Sequence, residues 1–421
     1  MENEKSESKK ILAQAAMRFI VLMAVVSLFN DMTFEGASSV LGAYETLLGM
    51  PTLWLTAISG AGALLGCSLR MLFGYLSDRT GKYWPFVLAG YAIDMVSVPL
   101  LALVPKNGWA LVVVFVLSEK LGKAIKKPAK SALVSFASKQ KGEGKSFALG
   151  EALDQIGACL GPLIVTAVFA FSSQEETLRQ YHLAFLFLGI PGLLCLGLLV
   201  TARILYPKPE DFERSPRKEG IGRFMMTPAF LVFCIGGAVF AMGFLDSFSL
   251  LNKDILLKNI VDESYLPLLY SYAMFVDALS ALFFGFLFDK IGFYSIAIAT
   301  LLSAPYGFLV FNGSSLWAVF LGLTSWGIGI GACESVLLSG VAKLSRKETR
   351  ARSYGFFELC YGLSAFGFSF LIAWLYEESK WGLSLFILLS VVASSLLFLV
   401  AEFLRKAETP DAIKNEGDIK I

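Results

Sequence analysis

At about twelve places along these 421 residues, apolar side chains run for about 18 to 25 positions with few charges, the length a helix needs to cross a hydrocarbon core about 30 Å thick. No other feature restricts the fold as strongly, because a backbone in lipid must satisfy its own N–H and C=O groups within each crossing segment. The runs lie at about 16–40, 51–77, 84–104, 109–135, 147–171, 181–204, 226–251, 264–288, 294–311, 315–343, 352–376 and 381–404. The chain is 56% hydrophobic and 17% charged, against roughly 25% charged in a typical soluble domain. One soluble core cannot hide that much apolar surface, so an all-α membrane protein is expected.

The runs are organised by a duplication. Phe73 to Lys82 reads FGYLSDRTGK, and Phe284 to Gly292 reads FGFLFDKIG. Both carry Phe-Gly-aromatic-Leu-x-Asp-basic-x-Gly, and Gly285 follows Gly74 by 211 residues. A second pair, Lys145 to Glu151 against Arg352 to Glu358, repeats basic-Ser-aromatic-small-apolar-x-Glu with Ser353 following Ser146 by 207 residues. Two matches at nearly one offset predict two similar halves. The longest polar connection falls between them, so the expected organisation is a tail over 1–15, a first half over 16–204, a linker over 205–225, a second half over 226–404 and a tail over 405–421.

Gly74, Leu76, Asp78, Arg79, Gly81 and Lys82 resemble the loop signature of the major facilitator superfamily, which lies between the second and third transmembrane helices. Gly285, Asp289, Lys290 and Gly292 resemble its weaker copy between helices eight and nine, with Lys290 standing for Arg79 and Phe293 for Lys82. The resemblance implies a secondary transporter of the twelve-helix bacterial or archaeal type, built from two pseudo-symmetric six-helix bundles and working by alternating access. It further implies that Asp78 accepts hydrogen bonds from the start of helix eleven, near Arg352, as a cytoplasmic gate. Gly157, Gly161 and Pro162 resemble the start of the family's antiporter motif. Leu163 to Thr166 then depart from it, and close helix packing explains the glycines equally well.

Basic residues are retained on the cytoplasmic side of short loops. With the N-terminus inside, that side receives Arg79, Lys82, Lys139, Lys141, Lys145, Lys208, Arg214, Arg217, Lys218, Arg223, Lys290, Arg346, Lys347, Arg350, Arg352, Arg405 and Lys406, while the other keeps Lys106, Arg179, Lys253, Lys258 and Lys380. Both termini are therefore expected in the cytoplasm, and the protein in the cytoplasmic (inner) membrane. The basic run from Lys123 to Lys130 reads as an anchor against anionic lipid; the alternative is an electrostatic funnel for an anionic substrate.

Ionisable side chains inside spans are costly and need a partner, a wet cavity or a task. Asp31 and Glu35 are four residues apart and so share a helix face. Glu119 and Lys123 are placed as a favourable i, i+4 pair. The family lines its cavity with helices one, four, seven and ten, which here carry Asp31, Glu35, Glu119, Lys120, Lys123, Asp246 and Glu334. Asp246 follows Glu35 by 211 residues, so the two are repeat equivalents. The acidic excess suits a proton or cation site, with Asp31 the first choice of proton carrier. Structural neutralisation is the reading favoured for Arg70, Asp94, Glu151, Asp154, Asp277 and Glu358.

A formal net charge of +2 gives no footprint for nucleic acid. The six cysteines lie in apolar runs without metal-ligand spacing, and His182 is the one histidine, so neither a disulfide framework nor a metal or cofactor is expected. No phosphate loop or nucleophile with a histidine base points to an enzyme. The expected partners are membrane lipids, protons and a small-molecule substrate, for a monomer. Proton-coupled efflux of amphipathic or cationic compounds is the favoured reading. The alternatives are uptake of a neutral or anionic metabolite with Lys120 and Lys123 as ligands, and a transport-inactive sensor or lipid-handling protein on the same fold.

Overall fold

The computed structural model describes residues 2–138, 143–212, 226–245, 247–345 and 350–417, apart from the side chains of 2–11, 67, 143–148, 333–335, 350, 351 and 408–417. Among these residues the regular structure is helical throughout: α1 Glu2–Leu47, α2 Thr52–Thr80, α3 Tyr83–Leu100, α4 Trp109–Ser138, α5 Glu143–Phe171, α6 Thr177–Leu205, α7 Pro228–Gly243, α8 Ser249–Leu257, α9 Leu266–Ile291, α10 Phe293–Ser303, α11 Tyr306–Asn312, α12 Leu316–Gly331, α13 Leu338–Leu344, α14 Arg350–Glu378 and α15 Lys380–Gly417.

Nine helices among the described residues are each long and apolar enough to cross a membrane. The other three expected spans differ for physical reasons. The fourth, α4, carries a glutamate and a series of lysines that lower its hydropathy. The seventh is split into α7 and α8, and the tenth is interrupted between α12 and α13 by a wider π-helical turn over Ala332–Leu337. With these three, the architecture is that of twelve transmembrane helices.

The break in the seventh span leaves backbone groups that must find other partners. The Tyr306 hydroxyl donates to the Gly243 carbonyl at 3.0 Å and accepts from the Leu245 N–H at 3.0 Å. The Trp326 indole N–H donates to the Leu245 carbonyl at 2.6 Å. Two aromatic side chains thus supply what the helix ladder gives up. In the ninth span, Pro305 separates α10 from α11, as expected of a residue without an N–H.

The chain divides into two compact units. One comprises Met1–Met50, Ser68–Lys218 and Asp262–Ser271, the other Pro51–Cys67, Glu219–Val261 and Tyr272–Ile421. In the first, α1 packs against α5 and α6, and α3 against α4 and α6. Its helix seams are glycine-lined. Gly157 lies against the Leu28 carbonyl and Gly161 against the Met32 carbonyl of α1, while Gly90 of α3 meets Gly122 of α4 backbone to backbone. One end is closed by an aromatic group of Phe19, Trp84, Tyr206 and Phe212, with the Trp84 indole donating to the Tyr206 carbonyl at 3.1 Å.

In the second unit, α7 packs on α15 and α14, and α10 on α15 and α12. The first half of α2 joins it through Gly60, which lies against Phe366, and Leu64, against which Gly362 of α14 rests. Its core is a phenylalanine cluster of Phe233, Phe293, Phe357 and Phe398. Here the expected outer-loop lysines are found in helical clusters. Asp254 is fully buried and meets Lys258 at 2.8 Å, Lys380, and the Tyr376 hydroxyl at 3.1 Å. Lys253 is also buried, donates to Thr52 at 2.5 Å and lies 3.8 Å from Glu377.

Candidate functional site

In the first unit α1 and α4 meet through side chains spaced three and four residues apart on both helices, the spacing that keeps one face turned to a neighbour. Three rungs result. Lys130 donates to the Ser27 hydroxyl. Lys126 donates to the Asn30 side-chain carbonyl and pairs with Asp94 of α3. Lys123 stands over the ring of Phe34. Residue numbers rise along α1 as they fall along α4, so the helices run antiparallel at this seam.

The middle rung is the most buried. Asp94 is 0% exposed and Lys126 5%, and the ammonium also lies 4.1 Å from the centre of the Tyr91 ring. Gly90 and Gly122 make this geometry possible, since a Cβ on Gly122 would collide with Asp94 itself. Taking two charges out of water is costly, and only close pairing with further hydrogen bonds offsets that cost. The sequence-based reading of Lys123 to Lys130 as a lipid anchor is therefore corrected. Lys123, Lys126 and Lys130 form a helical stripe turned to α1 and α3, while Lys127 is exposed. Their spacing of three and four was the available signal, and counting the run only as total charge obscured it.

The rung at Lys123 holds most of the predicted site residues. Glu119 is wedged between Lys120 at 3.2 Å and Lys123 at 3.3 Å. Lys120 lies 4.7 Å from the centre of the Phe34 ring, so both ammonium groups lie over one aromatic ring. The Glu119 side chain is 6% exposed and those of Lys120 and Lys123 are 27% and 29% exposed. The acid is enclosed and the bases form the open side.

Glu35 and Asp31 are treated differently from Glu119. Asp31 accepts from the Asn30 amide at 2.8 Å, and Asn30 in turn accepts from Lys126, so Asp31 is tied to the middle rung through a neutral relay. Glu35 accepts from the Tyr270 hydroxyl of α9 at 2.6 Å. Neither has a lysine or arginine within 4 Å among the described residues. Sequence reasoning missed Tyr270 because nothing in its apolar surroundings distinguishes it from a core tyrosine. Asp154 of α5 leaves one carboxylate oxygen without a hydrogen-bond partner. Glu151 is exposed.

Asp246 lies outside the described residues, as does the side chain of Glu334. The loop-signature residues sit where α2 ends. Asp78, Arg79 and Lys82 are exposed, and Asp78 accepts from the Tyr83 hydroxyl at 3.1 Å. Gly81 has φ +61° and Gly292 φ +63°, the left-handed region that a side chain disfavours. Gly74 approaches Pro128 of α4, whereas Gly285 faces open space. Asp289, Lys290 and Arg352 are exposed, and Lys290 lies over the Phe286 ring at 4.3 Å. At Gly292 a Cβ would come within 3.2 Å of the Lys343 ammonium. Gly157, Gly161 and Pro162 are buried at the α1 seam.

The model of the Major Facilitator Superfamily matches residues 120–368 and 255–420. The chain is 34% identical over 395 residues to an uncharacterized protein of Mycobacterium tuberculosis, covering 93% of each chain. It is 26% identical over 411 residues to an uncharacterized MFS-type transporter of Methanocaldococcus jannaschii, covering 94% of this chain and 96% of that one. Among solved structures it is similar in fold to a nucleoside transporter, with TM-score 0.67 and 11% identity over 92% of this chain and 99% of that one. A POT family transporter in complex with 5-aminolevulinic acid gives TM-score 0.70 and 16% identity over 91% and 95%.

Proposed function

The chain belongs to the Major Facilitator Superfamily, and we propose that this membrane transporter is driven by the proton gradient with Glu35 as its protonation site. The observation that carries the proposal is the contrast among the acids of the first unit. Asp94 and Glu119 each have a lysine ammonium within 4 Å. Glu35 has a tyrosine hydroxyl instead. That partner serves both states, since a phenol donates to the carboxylate and accepts from the protonated acid. Asp31, first choice from the sequence, is bound into the lysine network through Asn30.

A transporter rather than an enzyme fits the absence of catalytic motifs in the sequence. Coupling by alternating access requires a group that changes charge once per cycle, and such groups in secondary transporters lie within the spans. Efflux of cationic compounds is the less favoured direction, because at the Glu119 rung the lysine side chains are more exposed than the carboxylate between them. Uptake of a metabolite together with a proton is the direction preferred here. The basic-residue asymmetry supports the reading that both termini face the cytoplasm.

The test is transport in proteoliposomes, screened against compounds with and without an imposed pH gradient. Glu35→Gln is expected to abolish gradient-driven accumulation while retaining exchange at equal pH. Accumulation by Glu35→Gln equal to that of the wild type would remove Glu35 as the carrier.

A further inference from the structure

We infer that the seam between α10 and α15 in the second unit binds an anionic phospholipid, its phosphate on Lys406 and an acyl chain along the two helices. The site is separate from whatever the protein transports. It begins with how the helices meet. Ser395 of α15 donates to the Ala297 carbonyl of α10 at 2.8 Å, and the Lys406 ammonium donates to the Tyr294 hydroxyl at 3.4 Å. Residue numbers rise along α10 as they fall along α15, so the pair is antiparallel.

Each helix turns an apolar stripe outward at the spacing of three and four that keeps one face exposed. On α10 it is Tyr294, Ile298 and Leu301, and on α15 it is Leu396, Val400 and Phe403, all exposed. Lys406 follows Phe403 by three residues and continues the α15 stripe. Both stripes therefore end together, at a cation and a phenol. Lys406 also follows Leu396 by ten residues, about 15 Å along a helix. That is the depth of one leaflet of a hydrocarbon core about 30 Å thick.

The polar end is built for an anion. Arg405 donates to both oxygens of Glu402, at 2.8 and 2.9 Å, whereas Lys406 stands 3.6 Å from one of them, beyond hydrogen-bond distance. The Glu402 side chain is 3% exposed and that of Lys406 56%, so an arriving headgroup meets the ammonium and not the carboxylate. Of the three N–H donors of Lys406, the Tyr294 hydroxyl takes one at long range. A phosphate oxygen accepts from the others as a charge-assisted hydrogen bond, and the Tyr294 hydroxyl is free to donate to the same phosphate. A headgroup with its own ammonium gains less, because the Glu402 carboxylate that could receive it is enclosed.

The first unit shows why the site lies in the second. By repeat position its counterparts of α10 and α15 are α3 and α6, and there the chain covers its own seam. Arg203 at the end of α6 donates to the Pro207 carbonyl at 2.5 Å, the Trp84 indole of α3 donates to the Tyr206 carbonyl, and Phe212 is buried beyond them. After Lys406, by contrast, α15 continues as a helix to Gly417.

The test titrates the purified full-length protein in detergent with phosphatidylglycerol, phosphatidylethanolamine and phosphatidylcholine of identical acyl chains, and native mass spectrometry counts the lipid retained. Phosphatidylglycerol should be retained most strongly. Lys406→Gln should weaken its binding about five-fold, the effect of one basic residue at a membrane surface, and leave phosphatidylcholine unchanged. Lys406→Arg should retain the preference, and so should Lys82→Gln, which removes an exposed lysine from the first unit. Arg405 still holds Glu402 in Lys406→Gln, so its unfolding midpoint in lipid-free detergent should match the wild type. Equal retention of the three lipids would overturn the inference. An equal loss in Lys82→Gln and Lys406→Gln would reduce the effect to net charge and remove the site. Displacement of the lipid by glycerol phosphate at comparable concentration would mean that the stripes contribute nothing, which also contradicts it.

Discussion

The buried pair Asp94–Lys126 is the residue whose loss should be felt most in stability. Asp94→Asn leaves the Lys126 charge without its carboxylate in a place that is 5% exposed, and breaking such a pair costs about 3–5 kcal/mol. Asp94→Asn is therefore expected to lower the thermal unfolding midpoint in detergent markedly, whereas Asp94→Asn combined with Lys126→Met should recover most of the loss. A single variant as stable as the wild type would mean that the charge is met by other groups. At this scale the sequence was legible in part. Asp31, Glu35, Glu119 and Lys123 stood out because a charge in an apolar run is conspicuous. Asp94 was foreseen as neutralised, but its partner was not, since Lys126 lies 32 residues away and the α3–α4 packing, with Gly90 against Gly122, brings the two together.

The helical elements depend on close backbone approach at a few glycines. Gly157 of α5 faces the Leu28 carbonyl and the Asp31 Cβ atom, while Gly197 of α6 has nothing within 4 Å. Gly157→Leu should consequently disrupt the α1–α5 seam, with an overpacking cost of about 1–3 kcal/mol or more, and Gly197→Leu should be nearly silent. Thermal unfolding of the two variants side by side decides this, and equal effects would refute the seam. The turn glycines make a different prediction. Gly81→Ala places a Cβ at φ +61° and should cost about 1–2 kcal/mol, although the same site has no steric neighbour. Helix positions were readable from the sequence because hydropathy reports length directly. The interruptions were not, since the α7–α8 break is held by Tyr306 and Trp326, both distant along the chain. An aromatic residue's role as a backbone partner has no local signature.

For the molecule as a whole, FGYLSDRTGK and FGFLFDKIG lead to the expectation of halves over 16–204 and 226–404, and the chain divides into two compact units that do not follow those bounds. Their interleaving is the part that a repeat cannot convey, because the first half of α2 and the first turns of α9 are assigned by contacts that hydropathy does not encode. Orientation is open to a direct check. Single cysteines replacing the exposed Lys82 and Lys106, in a background without the six native cysteines, should be labelled from opposite sides, Lys82 from the cytoplasm. Labelling of both from one side would contradict the twelve-helix topology. The central claim, that Glu35 takes up the coupling proton, can be tested without knowing the substrate. Infrared difference spectra between acid and alkaline buffers should contain the carbonyl stretch of a protonated carboxyl group that is absent from Glu35→Gln and persists in Asp31→Asn. A band unchanged in Glu35→Gln, or lost in Asp31→Asn alone, would contradict the account.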